Sequence, residues 1–220
     1  MSVVMRRYLT EGEQQLLLKT INQFAAVHAR RDSAWIRLLM HSGMRVGEFS
    51  SMTVGDALAA LQTGYIFIPK ARRKGKNEDH SVLVTQPVRE ALFDLLHIRR
   101  EMGFAASSNA PLVMSRKRQG MTVRAYQQRV SFWAIKAELH LPASPHWFRH
   151  TRAMNIMRRT TSRDPRGVVQ AALGHVSISS TAVYTRLSRE DLEAALIEVD
   201  GKPALRKRDM RRAYEGRAHV

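Results

Sequence analysis

The sequence predicts a mostly α-helical α+β domain with one small antiparallel sheet. Apolar residues recur at helical spacing through most of the chain, and most of the runs open on a capping residue or a proline. Two short β-forming runs, 65–69 and 81–85, flank a single basic turn. At 220 residues the chain can bury a substantial core, so one domain, or one domain and a tail, is expected.

Thr10 and Glu13 have the spacing of a capping box, and Leu16, Leu17, Ile21 and Phe24 follow at helical intervals. A second helix over 32–41 carries Trp35, Ile36, Leu38 and Leu39 and stops at Ser42-Gly43. A short third helix over 46–52 comes next, which leaves Arg45 just past a glycine-bearing helix end. The basic segment A-R-R-K-G-K-N-E-D-H between the two β runs reads as a hairpin loop, with 112–114 a candidate third strand. Pro87 opens a helix to about residue 100 that aligns Val88, Leu92, Leu95 and Leu96. Thr122 caps a helix ending near 139, Pro145 opens one to about 159, and Asp164-Pro165 starts one that Gly174 closes. Ser188 caps a last amphipathic helix with Leu192, Leu196 and Val199. The expected division is a folded domain over 1–200 and a basic tail over 201–220 with almost no apolar periodicity.

Charge narrows the function. Lys and Arg number 36 against 19 Asp and Glu, a net +17. Self-repulsion of that size works against compactness, whereas phosphate neutralisation and counterion release favour a polyanionic partner. Low aromatic content argues against a base-stacking platform, so double-stranded DNA is the expected partner. With no cysteine, disulfides and thiolate zinc sites are ruled out. No apolar run approaches a membrane span or a signal-peptide core, so the expectation is a cytoplasmic protein without a membrane partner.

The chemistry concentrates between Pro145 and Tyr184. His146 and Arg149 in P-H-W-F-R-H-T-R-A share a helix face. His175 follows the helix-ending Gly174, and Tyr184 comes nine residues later. Arg45 in H-S-G-M-R-V-G-E-F joins them from upstream. Each feature is common alone: an H-x-x-R pair on a helix is usually functionless, a Gly-His pair is usually a cap, and Arg45 could simply pair with Glu48. Together they supply cations, proton carriers and a tyrosine hydroxyl, which suffice to attack a phosphodiester without a metal. Attack builds charge on the non-bridging oxygens, and Arg45 and Arg149 can neutralise it as bidentate forks, with His175 a third donor.

In order and spacing these motifs resemble the tyrosine recombinases, the phage integrase family. That family pairs an early T-G-x-R-x-x-E-L and a hairpin lysine with H-x-L-R-H-T-x-A, L-G-H and a tyrosine about nine residues on. Here they read S-G-M-R-V-G-E-F, R-K-G-K-N-E-D-H, H-W-F-R-H-T-R-A, L-G-H and V-Y-T, over about residues 7–188. Phe148 replaces the usual leucine, and T-T-S-R-D-P-R before the L-G-H motif looks longer than usual.

The resemblance implies the tyrosine-recombinase catalytic-domain fold over residues 1–200, acting as a site-specific recombinase through a 3′-phosphotyrosyl intermediate. It makes Tyr184 the nucleophile, His146 the general base and the hairpin lysine the acid for the leaving 5′ oxygen. Glu48 would orient the cations. Lys74, which a glycine follows, is the favoured hairpin lysine, with Lys76 two residues on as the alternative. No cofactor is implied. The implied partners are paired DNA sites, three further copies in a tetramer joined through the Ser188 helix, and accessory DNA-bending proteins. A bacterial, phage or plasmid source and nucleoid association follow. Relatives usually carry a further N-terminal helical domain, and its absence from this sequence fits either a compact form like the fimbrial-switch invertases or a truncated integrase. Type IB topoisomerases share the chemistry but commonly have lysine where His146 stands, and a non-catalytic DNA-binding protein would have no reason to keep the set.

Overall fold

The structure is a computed structural model that describes residues 8–73, 78–105, 107–139 and 143–174. The helix expected from Ser188, the tail over 201–220, and Lys74, Lys76, His175 and Tyr184 lie outside the described residues.

Helix α1 (Glu11–Asn22) opens on the expected capping box. The Glu13 backbone N–H donates to Thr10 Oγ1 at 3.3 Å, and the Thr10 N–H donates to Glu13 Oε2 at 2.7 Å. Helix α2 (Val27–Ser42) starts five residues earlier than the sequence suggests, because Ala26 caps it without a side-chain bond and so leaves no start signal. Most of α2 is buried, and it packs against α1, α5 (Gln86–Glu101) and α7 (Pro145–Arg159), making it the central helix. Its buried Asp32 is held by Arg31, Arg129 and the indole N–H groups of Trp35 and Trp133.

Helix α3 (Val46–Ser50) is shorter than expected, and α4 (Val54–Thr63) was not anticipated. Thr53 and Asp56 form a second capping box at the start of α4, and Gly64 ends it in a left-handed turn. Strands β1 (Tyr65–Ile68) and β2 (His80–Leu83) pair antiparallel, Tyr65 opposite Leu83 and Ile68 opposite His80. Ile66, Ile68 and Val82 face the core. Residues 112–114 do not form a third strand. Their links are isolated bridges, Thr53 with Pro111 and Met114 with Gly120, because Leu112 N–H donates to the Met52 carbonyl at the α3–α4 junction.

Helix α6 (Val123–Lys136) is capped by Thr122 as expected but ends earlier, where Glu138 turns left-handed. Pro145 opens α7, and α8 (Pro165–Leu173) is capped by Asp164. Ala153 and Ile156 of α7 meet Val169 and Leu173 of α8 in a small apolar cluster of their own. That contact fixes where the C-terminal end of α8 lies. The mostly helical fold with one small sheet is therefore the predicted one.

Candidate active site

One helix end, two helix starts and the root of the hairpin meet at a cleft. The α2–α3 turn brings Met44, Arg45 and Glu48, the start of α7 brings Pro145, His146 and Arg149, and the root of the hairpin brings Arg72. The cleft has a volume of about 280 Å³.

Arg45 stands just before α3, with its side chain 31% exposed toward the cleft and its Nη1 donating to Glu48 Oε1 at 2.8 Å. The other oxygen of Glu48 accepts from the Arg45 backbone N–H at 2.8 Å. Glu48 is buried, so its carboxylate acts behind the arginine and fixes its direction.

Arg149 is buried one turn into α7. Its Nη1 donates to the Gly43 carbonyl at 2.7 Å and its Nη2 to the Leu173 carbonyl at 2.6 Å. These carbonyls belong to the last turns of α2 and α8, which have no partner within their own helices. The guanidinium plane is thereby set by two helix ends. Gly43 makes this approach possible. It adopts φ +68°, and a methyl group there would stand 2.5 Å from Leu173 Cδ2.

His146 is exposed at the first turn of α7, on the same face as Arg149, and its ring stacks edge-on to His150 with centroids 4.4 Å apart. His150 is buried, as is Thr151, whose hydroxyl accepts the Leu9 N–H at 2.9 Å. Thr151 of the motif thus ties Leu9 to α7, while His146 faces the cleft.

Two residues of the site were not singled out from the sequence. Arg72 lines the cleft from a 3₁₀ turn (Lys70–Arg72) and donates to Asp56 at 2.6 Å. Burial alone would raise the Asp56 carboxyl, but hydrogen bonds from Thr53 and Arg72 hold it below its usual range. Arg73 is buried beside Glu48, its Nε 3.9 Å from Oε1. The sequence shows only a run of basic residues there, with no sign of which one turns inward.

Among the described tyrosines, Tyr126 is buried between Trp35 and Phe49, and burial pushes its hydroxyl far above the usual phenol range. Such a group resists ionisation and is a poor nucleophile. Tyr8 accepts from Arg158, near the end of α7 opposite His146. Tyr65 sits at the end of the hairpin remote from the basic turn.

The proteins to which this chain is similar identify its family. The sequence profile described as "Phage integrase family" matches residues 7–191. Tyrosine recombinase XerD of Haemophilus influenzae is 30% identical over 188 residues, 85% of this chain and 60% of that protein. Tyrosine recombinase XerC of Bacillus subtilis is 32% identical over 187 residues, 84% of this chain and 58% of that one. The chain thus spans a little over half the length of these curated relatives. In fold it is similar to the crystal structure of XerA recombinase, with a TM-score of 0.71 at 24% identity, covering 92% of this chain and 67% of that one. XerH recombinase bound to its difH substrate gives 0.66 at 24% identity, over 87% of this chain and 53% of that one. With a family profile running over most of its length, the chain belongs to the phage integrase family of tyrosine recombinases.

Proposed function

We propose that the protein is a site-specific DNA recombinase that cuts and rejoins duplex DNA through a 3′-phosphotyrosyl intermediate. The observation that carries this reading is the convergence of Arg45, His146 and Arg149 on one cleft, with Glu48 buried behind. Helix ends and a buried carboxylate hold these groups before any DNA arrives, and preorganised charge is the largest contribution to stabilising a phosphoryl transition state.

In the proposed reaction the Tyr184 oxygen forms a bond to phosphorus while the bond from phosphorus to the 5′ oxygen breaks. The tyrosine proton passes to His146, and the leaving oxygen takes a proton from Lys74 or Lys76. Arg45, Arg149 and His175 neutralise the charge that builds on the non-bridging oxygens. The bond energy stays in the phosphotyrosine, so religation is the reverse displacement and no cofactor takes part. Residues 1–200 form the catalytic domain in this reading, and 201–220 a basic tail.

Structures such as XerH with difH and the Tn1549 transposon integrase with transposon DNA hold DNA against this fold. By extension the partners here are double-stranded DNA and three further copies in a tetramer on paired sites, helped by accessory DNA-bending proteins. Among the described residues no helix is long and apolar enough to cross a membrane. The bacterial relatives support a bacterial, phage or plasmid origin and action at the nucleoid.

The test uses a duplex selected from a random pool for binding to the protein, nicked so that cleavage cannot be reversed. The wild-type chain is expected to form a denaturant-resistant covalent adduct, and Tyr184→Phe to form none while binding the duplex as before. Full adduct formation by the Phe variant would sink the assignment of the nucleophile.

A further inference from the structure

Arg73 lies in the most basic stretch of the chain, yet its side chain is buried. An arginine that only lent charge to a DNA backbone would stay in water. This one has partners on three sides. Nη1 donates to the carbonyls of Glu78 and Asp79, at 2.5 and 3.2 Å. Nη2 donates to the carbonyl of Gly174 at 2.9 Å, and Nε lies 3.9 Å from the Glu48 carboxylate that also holds Arg45. Gly174 is left-handed at φ +59°, and a methyl group there would stand 2.8 Å from Arg73 Nη2 and from the His80 ring. A glycine is needed at this position for the guanidinium to reach its carbonyl.

The sequence neighbours give these contacts their meaning. Arg73 precedes Lys74, and Glu78 follows the 74–77 segment that holds both candidate lysines. Gly174 precedes His175. One planar fork therefore joins the two flanks of residues 74–77 to each other and to the end of α8. Lysine could not replace it, since an ammonium is a point donor on a flexible stem.

We propose that Arg73 is a positioning residue for strand cleavage: it ties Glu78 and Asp79, which flank the stretch holding the candidate acid, to the end of α8. A misplacement of about 1 Å in a reacting group can cost about a hundred-fold in rate, and removing a general acid costs about a hundred-fold or more. The inference rests on the recombinase reading above.

The test compares two nicked duplexes of the selected sequence, one with the ordinary 5′ oxygen at the scissile bond and one with sulfur in its place. A departing thiolate needs no proton, its conjugate acid having a pKa of about 8.5. Arg73→Ala is expected to slow adduct formation on the oxygen duplex about a hundred-fold and to come within about threefold of wild type on the sulfur duplex. Arg73→Lys should behave like Arg73→Ala, and binding of both duplexes should be unchanged. If the Ala variant melts below the assay temperature, the Lys variant carries the same comparison. Equal slowing on both duplexes, or wild-type speed on the oxygen duplex, would overturn the positioning role and leave the recombinase reading standing. No adduct from the wild-type chain on either duplex would overturn both.

Discussion

Arg45 and Arg149 face the same cleft but are held in opposite ways, and their variants should differ accordingly. Arg45 is partly exposed, and in its absence the buried Glu48 carboxylate keeps the backbone N–H of residue 45 and the nearby Arg73 guanidinium. Arg149 is buried, and its loss would leave the Gly43 and Leu173 carbonyls without that donor, at about 1–3 kcal/mol each. Both Ala variants are expected to cut about a hundred- to a thousand-fold more slowly. Thermal melting should separate them, with Arg45→Ala near wild type and Arg149→Ala clearly lower. Lysine at either position should recover little cleavage, because it lacks the fork. Asp32 gives a prediction away from the cleft. Burial would raise its pKa, but Arg31, Arg129 and the two indole N–H groups outweigh burial and hold the carboxyl below its usual value. A depressed carboxylate stabilises the fold above its unfolded pKa of about 3.9, and that contribution is lost as the pH falls through the lower folded value. Asp32→Asn should cost about 3–5 kcal/mol at neutral pH by stranding Arg31, and should flatten the acid limb of the stability curve. An unchanged acid limb would show that Asp32 is not what the acid transition reports.

At the scale of elements, the cleft depends on how the ends of α2 and α8 approach the start of α7. Gly43→Ala adds a methyl group 2.5 Å from Leu173 and forces a side chain into the left-handed region, which costs about 1–2 kcal/mol before any clash. Because the Gly43 carbonyl is also a seat of Arg149, the variant should lose cleavage rate along with melting temperature. Thr10→Ala is the matched control. It removes the capping box of α1, worth about 1 kcal/mol, on an element that contributes no residue to the cleft. Its melting point should fall comparably while adduct formation per folded molecule stays at the wild-type rate. A proportional loss of cleavage in both variants would mean that activity tracks global stability and not the geometry of the helix ends.

For the whole molecule, the excess of positive charge is its strongest bulk property. If DNA phosphates are the partner, log affinity should fall linearly with log salt, with a slope of about −0.9 for each phosphate neutralised. A chain at +17 is expected to show a slope corresponding to several phosphates, measured by titrating a labelled duplex at four or five salt concentrations. A flat dependence would assign the charge to something other than DNA.

The sequence by itself determined the helical class, the hairpin and the family, and it singles out Arg45, Glu48, His146 and Arg149, which line one cleft. Helix periods, caps and motif spacings are local and survive in a linear string. The Thr53–Asp56 box is equally local, so the start of α4 is legible in the sequence too. Tertiary structure alone decided the rest. That Leu112 gives its N–H to the Met52 carbonyl, and 112–114 is no strand, depends on a partner sixty residues away in sequence. The choice of which arginine in A-R-R-K-G-K turns inward also needs the fold, because Arg73 reaches the carbonyl at 174, which comes within range only when α8 docks on α7. A guanidinium's charge can be read from one letter. Its direction is set by acceptors that the fold brings from distant parts of the chain.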